Sequence, residues 1–421
     1  MKGIIIGGGL AGLGAATELS KYCDDITIIE KENFLGGLAS SFYVEGYNIP
    51  KYFHHIIEYD KTLLDILQKF GLMDRLVKKS VKFAFYSDDY DDFFQFGATK
   101  LLFFKPFQFF DRIKFGLMAL SLMLKNEDLT TLDKTDAQTW LENKTSKKVA
   151  DIFGEILKHK FPIPLSEVSA AWLYSRFKLE ISKSKILYYP KGKAGYDMFE
   201  EKIKKDSWNI IKGTSVKKIK IENNSVSKIF LEKDVINVNN DDVVISSLPL
   251  QIFNSISEGL PIEMKKRIEK IKYVANICLC FGLGEKLTDY YWINLIGNSP
   301  VGTIIANSNL YDGHPWNVFY ASNYVDQKDP YLKLADEKIL GLYLKTMEKI
   351  FKVKIKPIWF KVNRALHGVT LFRTNFFELL PKDEIKNLRF AGQYMKYPEE
   401  RSMGAAILSG MEAAKDFFKE T

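Results

Sequence analysis

The chain has 421 residues, 46% hydrophobic and 27% charged, which excludes intrinsic disorder and is too long for one ordinary core, so two domains are expected. Sixty Lys+Arg against 52 Asp+Glu give a formal charge of +8, but many lysines stand among glutamates and asparagines, as between Lys212 and Lys220, a solvated face rather than a nucleic-acid stripe. Three cysteines exclude a disulfide framework and suit a reducing cytoplasm.

In chain order, Met1-Lys2-Gly3-Ile4-Ile5-Ile6 is cut by glycines too soon for the apolar core of a signal peptide and reads as a buried strand. Gly7 to Gly12 is a tight turn, Leu13 to Tyr22 a helix with Ala15, Ala16 and Leu19 toward a sheet, and Ile26 to Glu30 a second strand. Gly7-Gly8-Gly9-Leu10-Ala11-Gly12 satisfies the dinucleotide fingerprint. Gly7 permits the turn, Gly9 lets backbone approach a pyrophosphate, and Gly12 allows helix to pack on strand. The helix start near Ala11 turns free N–H groups and a positive dipole end to the phosphates. Glu30, 23 residues after Gly7, is placed to accept both ribose hydroxyls and would repel a 2′-phosphate, which favours FAD or NAD over NADP.

Further on, Gly46 to Ile57 carries the adjacent histidines His54 and His55, which should face different environments. Leu63–Phe70, Phe115–Leu124, Asp136–Lys144, Lys148–Lys158 and Ser166–Arg176 have helical periodicity, so residues 60–185 read as a helix-rich insertion. Phe103, Phe104, Phe107, Phe109 and Phe110 fit core packing, an apolar substrate tunnel or a membrane surface. Phe115 to Leu124 is about half the length of a bilayer span, so no transmembrane segment is expected. Arg176, near Trp172 and Tyr174, reads as a snorkelling surface residue or a site for an anion.

Tyr188 to Gly195 forms a Pro/Gly turn carrying Lys191 and Lys193, and Ile210 to Val238 is a meander of short strands closed by Val243–Ser247. Strands follow at Tyr273–Gly284, Val301–Ala306, Val318–Ser322 and Lys356–Asn363, with a helix at Asp336–Phe351. Cys278 and Cys280, at strand spacing in an apolar run, read as core thiols on one face. Leu388–Ala391 is a last short strand and Ser402–Phe418 a last helix. Neither a zinc spacing, a Gly-x-Ser-x-Gly elbow nor a Walker loop is present, so metal hydrolysis, acyl transfer and nucleotide hydrolysis lack support.

The run Glu30-Lys31-Glu32-Asn33-Phe34-Leu35-Gly36-Gly37-Leu38-Ala39-Ser40-Ser41 resembles the flavin amine oxidase superfamily, which includes protoporphyrinogen oxidases and phytoene desaturases. Ser215 to Ile219 is similar to the family strand whose valine, here Val216, meets the adenine. Leu388 to Gly392 with Ser402 to Gly410 is similar to the segment that closes over the flavin. Two positions depart: Leu38 replaces the arginine that often follows the paired glycines, and Gln393 the acid that often follows Ala-Gly. The Val44–Ile56 stretch is similar to the histidine-bearing segment of UDP-galactopyranose mutases, and Tyr188–Gly195 to a turn that relatives place near the flavin ring.

The resemblance implies an α/β protein: a Rossmann-like FAD-binding domain (parallel sheet plus β-meander) of residues 1–60, 186–255 and 385–421. Interleaved with it is an α+β substrate-binding domain of residues 61–185 and 256–384, with the helix-rich insertion. The implied FAD contacts are Gly7, Gly9, Leu10, Ala11, Gly12, Glu30, Lys31, Gly36, Gly37, Leu38, Ala39, Val216, Gly392, Gln393, Ser402, Met403 and Ala406, and the candidate catalytic groups are His54, His55 and Lys191. The implied function is an FAD-dependent oxidoreductase that moves a hydride from an amine, a porphyrinogen or a polyene-type bond to the flavin. The expected partners are a small, apolar substrate and an electron acceptor that the residues do not specify. No metal and no nucleic acid is expected, membrane contact is peripheral at most, and the expected location is the cytoplasm. Two other readings stand open: a nucleotide-sugar mutase-like enzyme, and a non-catalytic escort-type binding protein.

Overall fold

The computed structural model describes residues 1–58, 60–95, 100–181, 186–204, 207–399 and 402–419. Lys2–Ile6 (β1) is buried beyond its first residue, as a strand covered on both faces must be. It is the middle strand of a five-stranded parallel sheet. Asp25–Ile29 (β2) and then Asn209–Ile211 lie on one side, Val243–Ser246 and then Leu388–Phe390 on the other.

Parallel neighbours need a crossover, and the helix Leu10–Leu19 (α1) supplies the one from β1 to β2. It begins at Leu10, three residues before the expected start, because Gly9 already takes the extended N-cap conformation. The C-terminal helix Met403–Lys419 packs against α1 at near backbone contact. A Cβ at Gly14 would run into the Ile407 carbonyl, and one at Gly410 into the Ala11 carbonyl.

A four-stranded meander-type sheet follows, formed by Val235–Asn237, Ser225–Phe230, Lys218–Glu222 and Ser257–Glu258. Its lysines Lys217, Lys218 and Lys220 pair with Glu232, Glu258 and Glu222, the solvated charge pattern that the sequence suggests. The largest sheet has seven strands, in the order Trp359–Leu371, Lys272–Leu283, Asn317–Val325, Thr303–Ala306, Tyr290–Ile296, Lys82–Ser87 and Asp92–Phe94. Lys272–Leu283 is buried past its first residue. Its Cys278 and Cys280 are free thiols in one buried cluster with Tyr189, Tyr291 and Tyr320, as core thiols on one face should be.

Residues 60–185 are less uniformly helical than their periodicity suggests. Helices occupy Lys61–Lys69, Phe109–Leu124, Leu129–Asp133, Ala137–Lys144, Lys147–Leu157 and Ala170–Ile181. Strands Leu76–Ser80, Lys82–Ser87 and Asp92–Phe94 lie among them, and Lys82–Ser87 joins the seven-stranded sheet in parallel with Tyr290–Ile296. The signal there is an alternation that buries Ala84 and Tyr86. The expected domain boundary at 185 lies outside the described residues. The phenylalanine cluster divides: Phe104 and Phe107 are buried, whereas Phe103, Phe109 and Phe110 are exposed. Arg176, half-buried, pairs with Glu180 one turn along its helix.

Candidate functional site

The glycine turn after β1 is fixed from both sides. Gly7, at φ +105°, donates to the Ile29 carbonyl at 2.9 Å, and the Ser247 hydroxyl donates to the Ile6 and Gly7 carbonyls, each at 3.0 Å. A Cβ at Gly12 would collide with the Gly7 carbonyl, so the protein itself demands a glycine there. Gly9 is different. Its φ is −80°, open to any residue, and a Cβ built on it meets nothing within 4 Å. The chain has no steric need for a glycine at this position, and the space before it is free for a ligand that needs bare backbone.

The first α1 hydrogen bond runs from Leu13 N–H to the Gly9 carbonyl at 2.9 Å. The N–H groups of Leu10, Ala11 and Gly12 therefore stand outside the helical ladder at its positive end. Gly36 comes alongside, its N–H donating to the Gly8 carbonyl at 2.8 Å and pairing as a bridge with Gly9. Gly36 and Gly37 adopt φ of +108° and +53°, left-handed values that favour glycine. Gly37, Leu38 and Ala39 make one short 3-10 turn.

Glu30 sits just past β2 with its carboxylate buried. One oxygen accepts from Gly8 N–H at 2.8 Å, the other from Glu32 N–H at 2.9 Å. Each carboxylate oxygen has a second lone-pair direction to spare, so the group is held rigid and still able to accept from a diol. Thr214 N–H donates to the Glu30 carbonyl at 3.1 Å and Gly213 N–H to that of Glu32 at 2.9 Å. These bonds bring the stretch leading to the half-buried Val216 beside the acid. Lys31 points outward and pairs with Glu32 at 3.5 Å.

Near the C-terminus, Gly392 N–H donates to the Ser409 hydroxyl at 2.9 Å. Gln393 follows, and its side-chain Nε2 is a buried donor without a protein acceptor. Such a group costs about 1–3 kcal/mol unless something accepts from it, so it fits a polar ligand edge. Ser402 caps the last helix, accepting from Ala405 N–H at 3.0 Å. It also bonds the Asp60 carboxyl, whose pKa burial raises against the opposing pull of the Leu63 N–H and Ser402 bonds. Met403 is buried and Ala406 packs at the edge of the same core.

The two histidines diverge. His54 Nε2 lies 3.0 Å from the Leu38 carbonyl, on the Gly37–Ala39 turn. His55 Nδ1 shares a 3.0 Å bond with the Tyr291 hydroxyl, edge-on to the rings of Tyr291 and Trp292. Burial, aided by His54, pushes the His55 pKa from 6.5 down to about 3. The ring is therefore neutral at ordinary pH, and the folded state binds fewer protons than the unfolded one between those two values. Its contribution to stability is full above pH 6.5 and is lost as the pH falls toward 3. The urea midpoint should drop between pH 7 and pH 5, and drop less in His55→Phe, with His159, His314 and His367, also shifted down by burial, keeping the remainder. An equal drop in both proteins would remove His55 from this role.

Lys191 is not brought to this group. It is exposed, and its N–H donates to the Arg75 carbonyl at 2.8 Å. The turn reaches the glycine loop through Gly195 instead, where a Cβ would strike the Ala39 carbonyl. Lys193 pairs with Glu201 at 2.5 Å.

Several bracing residues escape sequence reading. Asn48 donates to Asp197 at 2.7 Å and accepts from Ala194 N–H at 3.0 Å, tying the Tyr47–Pro50 strand to the Pro/Gly turn. Tyr196 packs on Gly36 so closely that a Cβ there would lie 2.7 Å from its own. Lys51 Nζ lies 3.6 Å from the centre of the Phe34 ring, and burial lowers its pKa. The one available signal was Asn48 itself, a polar residue between apolar neighbours that must find partners when buried.

The family profile described as flavin containing amine oxidoreductase matches residues 10–417 of the chain. No curated protein matches it by sequence. Among solved structures, a candidate protoporphyrinogen oxidase from Exiguobacterium sp. 255-15 superposes with a TM-score of 0.78 at 14% identity, covering 100% of this chain and 99% of that one. A reduced UDP-galactopyranose mutase gives 0.76 at 14% identity, covering 100% and 96%. Cyclohexylamine oxidase from Brevibacterium oxydans IH-35A gives 0.75 at 15% identity, covering 100% and 99%. At these identities the likeness is one of fold.

Proposed function

We propose, on the premise that the chain belongs to the flavin containing amine oxidoreductase family and is a flavin-dependent oxidoreductase, that its flavin is FAD, held along Glu30, Gly9 and the Gly36–Ala39 turn. The carrying observation is the pairing of a rigid, buried Glu30 carboxylate with a Gly9 whose open face no protein atom fills. Glu30 takes the adenosine ribose, with Val216 beside the adenine. The free N–H groups of Leu10, Ala11 and Gly12 take the pyrophosphate. Gly392, Gln393, Ser402, Met403 and Ala406 close over the ring end, where the buried Gln393 amide gains its missing acceptor. Lys31, Leu38 and Ala39 border the same groove. FMN lacks the adenosine that Glu30 and Val216 would serve.

Residues 1–60, 186–255 and 385–421 then form the cofactor-binding part. Residues 61–185 and 256–384 form the substrate part, built on the seven-stranded sheet. Bound flavin supplies the hydride acceptor and passes the electrons to a second substrate. The substrate class we favour is a small organic molecule with an oxidisable C–N or C–C bond: an amine, a porphyrinogen or a polyene precursor. Of the three candidate catalytic groups, His54 has the strongest support because it lies on the Leu38 turn. His55, neutral and bonded to Tyr291, serves to shape the aromatic wall, and Lys191 has no contact that supports a role.

A nucleotide-sugar mutase is the second reading, favoured by the fold likeness to the UDP-galactopyranose mutase. It needs arginines that converge on a diphosphate. Each of the seven described arginines is instead engaged with a carboxylate or a backbone carbonyl: Arg75, Arg112, Arg176, Arg267, Arg364, Arg373 and Arg389. An escort-type protein without chemistry would have no use for the open Gly9.

Gly9→Ala separates ligand from scaffold. The new methyl meets no protein atom, so stability of the flavin-free protein should stay within about 1 kcal/mol of wild type. Flavin affinity should fall at least about tenfold, the equivalent of about 1.4 kcal/mol. Isothermal titration with FAD and a urea melt of the flavin-free form measure the two quantities. Unchanged affinity would place the pyrophosphate elsewhere.

A further inference from the structure

We infer that the helix Phe109–Leu124, with the turn before it, is a docking face for an anionic phospholipid bilayer. Among the described residues, nine of twenty-one exposed large apolar side chains fall within residues 102–124, so exposure is concentrated and not scattered. From Phe115 onward the helix carries no charged residue on any face. Phe115, Met118 and Leu122 enter the core, while Phe110, Ile113, Leu117, Leu120 and Leu124 stand in solvent on the other side with Phe103, which is 75% exposed. A surface helix of a soluble protein ordinarily presents polar residues there.

Charge selects the occupant. Lys100, Lys105, Lys114 and Lys125 are exposed around the patch, with Asp92 3.9 Å from Lys105. The acid within residues 100–125, Asp111, is turned inward, accepting from Ser146 at 2.6 Å. Arg112 is held by the Phe107 and Leu102 carbonyls. A second copy of the chain placed face to face would bring this cationic rim against itself, at a Coulombic cost. An anionic lipid surface meets the lysines with phosphates and the apolar stripe with acyl chains. At 16 residues the helix is about 24 Å long, short of a bilayer core of about 30 Å. Among the described residues no helix is long and apolar enough to cross a membrane. Contact is therefore from one side, with the helix lying in the interface.

Flotation of the full chain with vesicles tests this. The protein should rise with vesicles containing phosphatidylglycerol and rise less with pure phosphatidylcholine. Leu117→Glu with Leu124→Glu, both exposed, should abolish flotation while the thermal melt stays unchanged. Phe110→Cys carrying an environment-sensitive dye should shift to the blue when anionic vesicles are added. Absence of flotation, flotation unchanged in the double variant, or equal binding to neutral vesicles would overturn the proposal. Concentration-dependent dimers lost in the double variant, without vesicle binding, would also overturn it and give the face to a second copy.

Discussion

Glu30→Arg should yield a folded protein that purifies without flavin and does not take up FAD on incubation. The wild-type carboxylate is oriented by Gly8 and Glu32 N–H groups at 2.8 and 2.9 Å, so the ordering that a ribose acceptor needs is present before the ligand arrives. Hydrogen bonds to a charged acceptor contribute about 1.5–3 kcal/mol each. Losing two of them predicts an affinity loss on the order of 100-fold or more, to which the arginine adds bulk. Because Arg also removes the two backbone bonds, Glu30→Gln is the control. It retains one carbonyl acceptor in the same shape but turns its NH2 against one of the two backbone N–H groups, so its affinity loss should be smaller, on the order of tenfold, with a stability loss of about 1–3 kcal/mol. Full flavin occupancy in purified Glu30→Arg would sink the assignment.

Gly410→Ala is the largest expected effect on the scaffold. In an open helix this change stabilises by about 1 kcal/mol. Here the new Cβ would overlap the Ala11 carbonyl and lie 2.6 Å from Ala15 N, and backbone cannot swing aside as a flexible side chain can. The last helix must back away from α1, opening a contact that Gly14 makes close from the other side. Overpacking of this kind costs about 1–3 kcal/mol, so the sign reverses and the urea midpoint should fall. Because α1 also carries the glycine turn at its N-terminus, FAD affinity should weaken in the same variant. A stabilised Gly410→Ala would show that the two helices do not approach as described.

The parts of the site that were legible in the sequence are those written locally. Gly7 to Gly12 lies between an apolar run and a helical pattern, and Glu30 ends the next strand, so turn, helix and acid could be placed without any distant contact. What could not be read depends on chain partners far apart. Asn48 meets Asp197 across 149 positions, and Tyr196 packs on Gly36. Adjacent histidines are alike in sequence, yet the strand pairing of Ile56 and Ile57 with Tyr188 and Leu187 fixes which faces the glycine loop and which faces Tyr291. Lys191 looked eligible because its turn does reach Ala39, but the contact is made four residues later, by Gly195. The strands at 76–94 were hidden because they are short, and their pairing partners lie as far as 209 positions away. The phenylalanines were ambiguous because the buried Phe104 and Phe107 alternate with the exposed Phe103, Phe109 and Phe110 in one short run, so hydropathy alone could not divide them.

The most direct test of the central claim is the absorption spectrum of the purified chain after incubation with FAD and removal of the excess, followed by identification of the released cofactor. A chain that holds FAD as proposed should show flavin bands in the near-ultraviolet and blue, release FAD on denaturation, and have bands that bleach on anaerobic reduction and return with oxygen. A chain that shows no flavin band after incubation, or that retains FMN in preference to FAD, would contradict that claim.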